Sequence, residues 1–332
     1  MKQYIKIIIL SIGIVYGVNK TGTTAAKFLS IEVGSSAVGM GGAYTSIAND
    51  ATAMYWNPAG LSFHDTKEVY FNHANWIADI SFDYFGITFP MRSKSVLGFN
   101  LTSVTMDEME VTRYGNENTG ETFRAADYAI GSTYALDLTD RFSVGFNGKY
   151  IQQSIANSNA KGFAVDFGTL FITPFGFTLG TSISNFGPKL RMSGDDLLIG
   201  ADVDENIEGN NESVTGILST DYFDLPLVLR IGISDEFQIG ARNKLVASLD
   251  AISPNDNANY INTGAKIHLF DGLISLFAGV NSLFLENAES EFSFGGGLTI
   301  PQILNNSLSI YFTHEQMKFL GNSQQLSISF NY

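Results

Sequence analysis

From Lys67 to Tyr332 the chain alternates. In Leu326-Ser-Ile-Ser-Phe-Asn-Tyr332, the residues Leu326, Ile328, Phe330 and Tyr332 share one face of an extended strand, and Ser327, Ser329 and Asn331 share the other. Phe142-Ser-Val-Gly-Phe-Asn-Gly-Lys-Tyr150, Phe163-Ala-Val-Asp-Phe167 and Leu308-Ser-Ile-Tyr-Phe312 repeat the period. Reading each such run as a strand predicts fourteen of them: 67–75, 81–90, 94–104, 124–136, 141–153, 160–173, 175–185, 225–234, 242–252, 258–270, 272–281, 290–300, 305–314 and 322–332. They are about as long as the 9–11 residues that a tilted strand needs to cross a bilayer. An even number brings both ends of a closed barrel to one side.

The connections sort in the same sense. With the N-terminus on the periplasmic side, the outward connections are 76–80, 105–123, 154–159, 186–224, 253–257, 282–289 and 315–321. The inward ones are short, as at Asp137-Leu-Thr-Asp140 and Phe270-Asp-Gly272. A soluble β-sandwich, the competing fold, has no reason to sort its loops by length. The expected fold class is therefore all-β: a transmembrane antiparallel β-barrel of about 14 strands, spanning residues 67–332, with an N-terminal luminal plug.

The plug is read from Val33 to Leu61, VGSSAVGMGGAYTSIANDATAMYWNPAGL. Gly, Ala and Ser crowd it and Asp50 is its one acid, so its backbone can pack closely against other backbone. It ends in Trp56-Asn57-Pro58-Ala59-Gly60, where Pro58 lacks a backbone donor. A short helix is expected within Thr45–Tyr55, capped by Asn49 or Asp50. Asn19–Ser30 reads as a polar lead, so that residues 18–66 form lead and plug together. Before them, Met1–Gly17 has the form of a signal peptide. Lys2 and Lys6 precede the apolar Ile7–Val15, and Val15-Tyr16-Gly17 places small enough residues at the cleavage positions. The apolar run is too short for a membrane anchor.

Composition narrows the class further. Charged residues are 16% of 332 and there is no Cys, which removes disulfide and thiolate chemistry. A net charge of −14 disfavours a nucleic-acid partner. Most of that charge lies in two blocks, residues 105–123 and 186–224, on a near-neutral body. Such blocks read as long solvent loops, and divalent ions there would bridge acids to lipopolysaccharide phosphates. The expected location is the bacterial outer membrane, with its lipid and lipopolysaccharide as surroundings.

If Phe, Val and Leu face lipid, their strand neighbours face the lumen. Asp127, Lys149, Asp166, Arg230, Asp250, Lys266 and His268 then point inward, since charges facing lipid are costly. Their balance predicts ion pairs or hydrogen bonds with one another and with Asn49, Asp50 and Asn57. They serve either to fill and rigidify the interior or to conduct or gate a ligand. Leu197, Leu198, Ile199, Ile217 and Leu218 are candidates for an apolar groove near the outer mouth.

No catalytic constellation emerges. His64, His73, His268 and His314 lack metal-ligand spacing, and no nucleophile elbow, dinucleotide turn or P-loop is present. His73 and Ser81 pair only loosely in sequence. Asp202-Val-Asp-Glu-Asn206 lacks the glycine and distal glutamate of a calcium loop. The expectation is a protein without enzymatic activity, metal or cofactor. The C-terminal strand, ending on Phe330 and Tyr332, is similar to the terminal signal by which outer-membrane barrels are recognised for insertion.

Several blocks resemble the PorV/PorQ family: Thr23–Leu29, Val38-Gly-Met-Gly-Gly-Ala-Tyr44, Asp50–Leu61, Asn75-Trp-Ile-Ala-Asp79, Ser184-Asn-Phe-Gly-Pro188 and Ser193-Gly-Asp195. That family falls within the FadL-like barrels, whose fold has fourteen strands and an N-terminal hatch with an Asn-Pro-Ala motif, matched by Asn57-Pro58-Ala59. The resemblance implies two different roles. PorV-type members serve type IX secretion beside its translocon and receive the C-terminal signal domains of exported proteins. FadL-type relatives are passive channels for hydrophobic small molecules. A protein-interaction barrel of export is the favoured expectation, and a hydrophobic-solute channel the alternative.

Overall fold

In β1 (Glu68–Asn75) every second side chain, from Glu68 through Tyr70 and Asn72 to Ala74, is buried, while Phe71 between them is exposed. The same two-faced pattern runs through β2 (Ser81–Met91), β3 (Ser95–Thr105), β4 (Ala125–Thr139), β5 (Phe142–Ile155), β6 (Ser158–Ile172) and β7 (Thr178–Phe186). The remaining strands of the wall are β8 (Val228–Ile239), β9 (Asn243–Pro254), β10 (Tyr260–Leu269), β11 (Ile274–Leu283), β12 (Ser290–Ile303), β13 (Asn306–Met317) and β14 (Asn322–Asn331). The computed structural model describes residues 21–332 apart from 92–93, 117–118, 203–213, 287 and 304–305. Residues 1–17, read above as a signal peptide, lie outside that set.

Each strand pairs antiparallel with its neighbours in the chain, and β1 pairs β14 with Glu68 opposite Asn331. The ring is therefore a closed antiparallel barrel of fourteen strands. Closure removes the unpaired edges that a bilayer could not hydrogen-bond. Phe71, Phe85, Phe99, Phe146, Phe167 and Phe312 are among the exposed outward side chains, and they meet lipid. The connections after odd strands include 106–124 and 187–227, whereas those after even strands include the tight 140–141, 240–242 and 270–273. Outer-membrane barrels carry their long loops outside, so the first rim is extracellular and the second periplasmic.

Three details differ from the sequence reading. The helix expected within Thr45–Tyr55 is only one turn, Ala53–Trp56, preceded by Thr52, and a second short helix forms at Ser35–Gly39. Asp50 does not cap by its expected position; its Oδ1 instead accepts from the Thr52 amide at 2.8 Å and from the Thr52 hydroxyl. β8 runs to Ile239 rather than ending at 234, because Asp235, Phe237 and Ile239 all pair with β9. The long connection also forms strands of its own, Leu198–Ala201 pairing Val214–Ile217.

Candidate functional site

Residues 21–66 thread the whole barrel. Thr24 Oγ1 donates to Asp256 Oδ2 at 2.8 Å and the Ala25 amide to the Asp224 carbonyl at 2.9 Å, both at the extracellular rim. At the other end the Thr66 hydroxyl donates to Asn331 Oδ1 at 3.3 Å, beside the periplasmic start of β1. Between these points the segment bonds walls on every side. The Ser35 amide donates to Ser327 Oγ of β14 at 2.8 Å, and the Gly41 amide to Ser293 Oγ of β12 at 3.1 Å. Ser182 Oγ of β7 donates to the Trp56 carbonyl at 2.9 Å, and Tyr84 Oη of β2 to the Ala51 carbonyl at 2.9 Å. A single segment reaches opposite walls only from within the ring.

Asn57 is the pivot of that packing. It is fully buried, and its Nδ2 donates to the Thr45 carbonyl at 2.8 Å and to the Thr169 carbonyl of β6 at 3.1 Å. Its Oδ1 accepts from the Ala59 amide at 3.2 Å, which starts the 3-10 turn Pro58–Phe63 with proline at its first position. One amide thus satisfies a loop, a wall and a helical start. Gly60 lies so close to the Ala48 carbonyl that a β-carbon would overlap it. Trp56 is buried, donates from Nε1 to the Val33 carbonyl at 2.9 Å, and lies with Tyr55 under the Arg230 guanidinium, each ring centroid 5.5 Å away. Asp50 Oδ2 also accepts from Tyr44 Oη at 3.1 Å.

The seven charged and titratable wall residues all have polar or aromatic neighbours inside, but only one pair among them is ionic. Lys149 Nζ meets Asp166 Oδ1 at 2.9 Å, both side chains nearly without solvent exposure. Asp166 Oδ2 also accepts from Asn147 Nδ2 at 2.9 Å, and Asn147 donates on to the Met54 carbonyl at 3.2 Å. Asp250 accepts from the Tyr44 and Thr45 amides at 3.0 and 2.8 Å. Arg230 donates to Ser184 Oγ at 3.0 Å. Lys266 donates to Ser36 Oγ at 2.8 Å and lies 5.1 Å from the Tyr311 ring centroid. Asp127 Oδ2 accepts from Gln153 Nε2 at 2.9 Å, and His268 Nδ1 is 3.0 Å from Ser275 Oγ. The expectation of bonds to the side chains of Asn49, Asp50 and Asn57 is thereby corrected. The segment meets the wall mostly through backbone groups, because its small residues bring that backbone within reach.

Sequence reasoning missed three acids that face the interior. Glu68 Oε2 accepts from the Ala51 amide at 2.7 Å and Oε1 from Ser329 Oγ at 2.5 Å. Glu32 Oε1 accepts from Asn281 Nδ2 at 2.9 Å. Glu315 of β13 is the third, also buried. The alternation around Val69 and Phe71 was the signal available for Glu68. Also missed was a belt of inward glycines: Gly86, Gly98, Gly145, Gly168, Gly180, Gly232, Gly264 and Gly279 each place backbone against atoms of the segment or the wall beside it. A β-carbon on Gly180 would sit 2.5 Å from the Thr45 carbonyl oxygen.

At the periplasmic end Phe330 and Tyr332 point outward, their rings stacked at 5.9 Å, with Lys67 Nζ 5.5 Å from the Tyr332 centroid. Leu197 precedes, and Leu198, Ile199, Ile217 and Leu218 lie on or beside, the paired strands of the 187–227 connection. Leu198 stands opposite Ile217, and Leu198, Ile199, Ile217 and Leu218 are exposed. Of Asp202–Asn206 only Asp202 is among the described residues.

The model of a protein family, described as type IX secretion system protein PorV, matches residues 17–204, more than half of the chain. The chain belongs to this PorV family. Solved structures similar in fold include the toluene transporter TodX of Pseudomonas putida, at 12% identity, TM-score 0.57 and coverage of 90% of this chain and 97% of that one. A FadL homologue of Pseudomonas aeruginosa is similar at 13% identity and TM-score 0.53, covering 90% and 98%. The toluene transporter TbuX of Ralstonia pickettii follows at 12%, 0.55, 90% and 97%. At these identities the likeness establishes the fold, a FadL-like outer-membrane barrel. No curated protein matches the chain. The PorV match begins at residue 17 and includes the threading segment, Asn57-Pro58-Ala59 and the first seven strands.

Proposed function

We propose that this barrel is a protein-interaction component of type IX-like export, receiving the C-terminal signal domains of exported proteins beside a translocon. The observation that carries the reading is the pairing of Leu198–Ala201 with Val214–Ile217 in the longest extracellular connection. It presents Leu198, Ile199, Val214, Ile217 and Leu218 to solvent on a two-stranded unit. An exposed apolar surface on an exposed sheet is what a β-rich partner adds to, through main-chain bonds at the edge and apolar contacts on the face. The base of the connection is held firm. Asp196 Oδ2 accepts from the Asn157 amide at 2.7 Å and Leu190 exchanges backbone bonds with Phe223 at 2.8 and 2.9 Å.

The interior supports the same reading. In this proposal residues 21–66 are a plug and the seven wall residues are its fasteners. The plug meets polar and charged side chains on opposite walls, whereas a channel for hydrophobic solutes needs a path lined by aliphatic and aromatic groups. Phe330 and Tyr332 are proposed as the signal for barrel insertion.

Deleting 190–222 tests the function. The barrel is expected to assemble, shown by heat-modifiable migration, while secreted cargo falls and a tagged barrel no longer retains cargo C-terminal domains. Unchanged secretion and retention would end the export reading. Barrel-dependent uptake of a labelled aromatic hydrocarbon would replace it with the channel.

A further inference from the structure

The lipid-facing surface has a hollow across β8 to β12, of about 770 Å3. Its floor is a row of small side chains in register, Ala247 opposite Ala265 and Ala265 opposite Ala278. Phe177, Ile233, Phe237, Leu249 and Phe292 stand around it. The hollow has a cause inside the barrel. Behind the floor Gly232, Gly264 and Gly279 face inward, and the backbone of Met40 and Gly41 lies directly on β10 and β11. A β-carbon on Gly41 would be 2.6 Å from the Val280 amide nitrogen. Where backbone packs on backbone, the wall is drawn in and its outer side becomes concave.

One lining residue does not suit lipid. Asp235 stands opposite Ala247 on the outward face of β8. Ile231 and Ile233 precede it and Phe237 and Ile239 follow it on that face, all exposed. Its carboxylate accepts the adjacent Glu236 amide at 2.8 Å, and among the described residues no basic side chain pairs with it. The nearby Lys244 is engaged with Glu236 at 2.5 Å. An acid facing hydrocarbon is a cost, reduced towards the interface, unless something outside the protein neutralises it. Asp235 is near the periplasmic turn 240–242, on the periplasmic half of its strand.

We propose that this hollow binds one phospholipid of the periplasmic leaflet that carries an ammonium headgroup. The ammonium donates to the Asp235 carboxylate, and an acyl chain lies over Ala247, Ala265 and Ala278. The charge selects the headgroup: an amine is attracted where an anionic glycerol headgroup is repelled. The volume falls in the range of small-molecule sites, roughly 300–1,000 Å3, and leaves room for one acyl chain. The site is independent of the export reading, and its test does not involve cargo.

The test is native mass spectrometry of the full mature barrel, delipidated in detergent and titrated with phosphatidylethanolamine or with phosphatidylglycerol of the same acyl chains. One phosphatidylethanolamine is expected to stay bound under activation that strips phosphatidylglycerol. Asp235→Asn is expected to lower phosphatidylethanolamine affinity about tenfold, as loss of a charge-assisted hydrogen bond does. Ala265→Phe, which fills the floor, is expected to remove retention of both lipids, with heat-modifiable migration confirming that each variant is folded. Equal retention of the two lipids by the parent, or retention unchanged in both variants, would overturn the site. So would a co-purifying membrane protein that Ala265→Phe releases without any lipid selectivity, which would make the hollow a protein interface.

Discussion

Gly168 of β6 and Asn57 of the threading segment meet with no side chain between them: a β-carbon on Gly168 would overlap the Asn57 amide. That contact lets Asn57 Nδ2 reach the Thr169 carbonyl at 3.1 Å. Gly168→Val should therefore push Asn57 off the wall. Overpacking of this kind costs about 1–3 kcal/mol. Urea unfolding of the refolded barrel should show the loss. Thr169→Val, whose side chain is on the other face and whose carbonyl is retained, should stay close to the parent.

Lys149 and Asp166 are a buried pair on adjacent strands, 2.9 Å apart. Lys149→Met leaves the Asp166 carboxylate with Asn147 and the Asn185 amide as its hydrogen-bond donors. Breaking one partner of a buried pair costs about 3–5 kcal/mol. Adding Asp166→Asn should recover most of the loss, because the stranded charge then disappears. A double variant as unstable as Lys149→Met alone would contradict this account.

Asp256 holds the extracellular end of the threading segment through Thr24 at 2.8 Å and Lys27 at 2.6 Å. Its carboxylate is almost unexposed, and these contacts fix residues 24–30 across the mouth together with the Ala25 amide on the Asp224 carbonyl and the Ala26 amide on Gln153 Oε1 at 2.8 Å. Asp256→Ala should raise amide exchange in that stretch by about tenfold or more, the effect of losing charge-assisted bonds. The β1–β14 amides should not change. Equal exchange in parent and variant would show that the bonds donated by the Ala25 and Ala26 amides suffice.

Much of the barrel was legible because its pattern is local. Phe142–Tyr150 and Leu326–Tyr332 alternate whatever surrounds them, and a lipid-facing side chain forces its neighbour inward. Asp235 shows the limit. The sequence reading ends the strand at 234, yet Phe237 and Ile239 continue the alternation and β9 pairs with all three. A strand end is decided by the partner strand, which a single run of residues does not contain. The same holds for Asp250, which bonds the Tyr44 and Thr45 amides rather than a side chain of opposite charge.

The sequence by itself determined the period, the faces of the strands, the sorting of short and long connections, and the small-residue character of Val33–Leu61. Each follows from side-chain size and polarity taken one strand at a time. Only the tertiary structure decided which wall residue meets which part of the segment. It also decided that residues 24–30 cross the extracellular mouth, and that the inward glycines lie where backbone touches wall. These relations join residues more than a hundred positions apart, as Asn57 joins Thr169. They exist only once closure of the ring has fixed the register of every strand against the segment inside it.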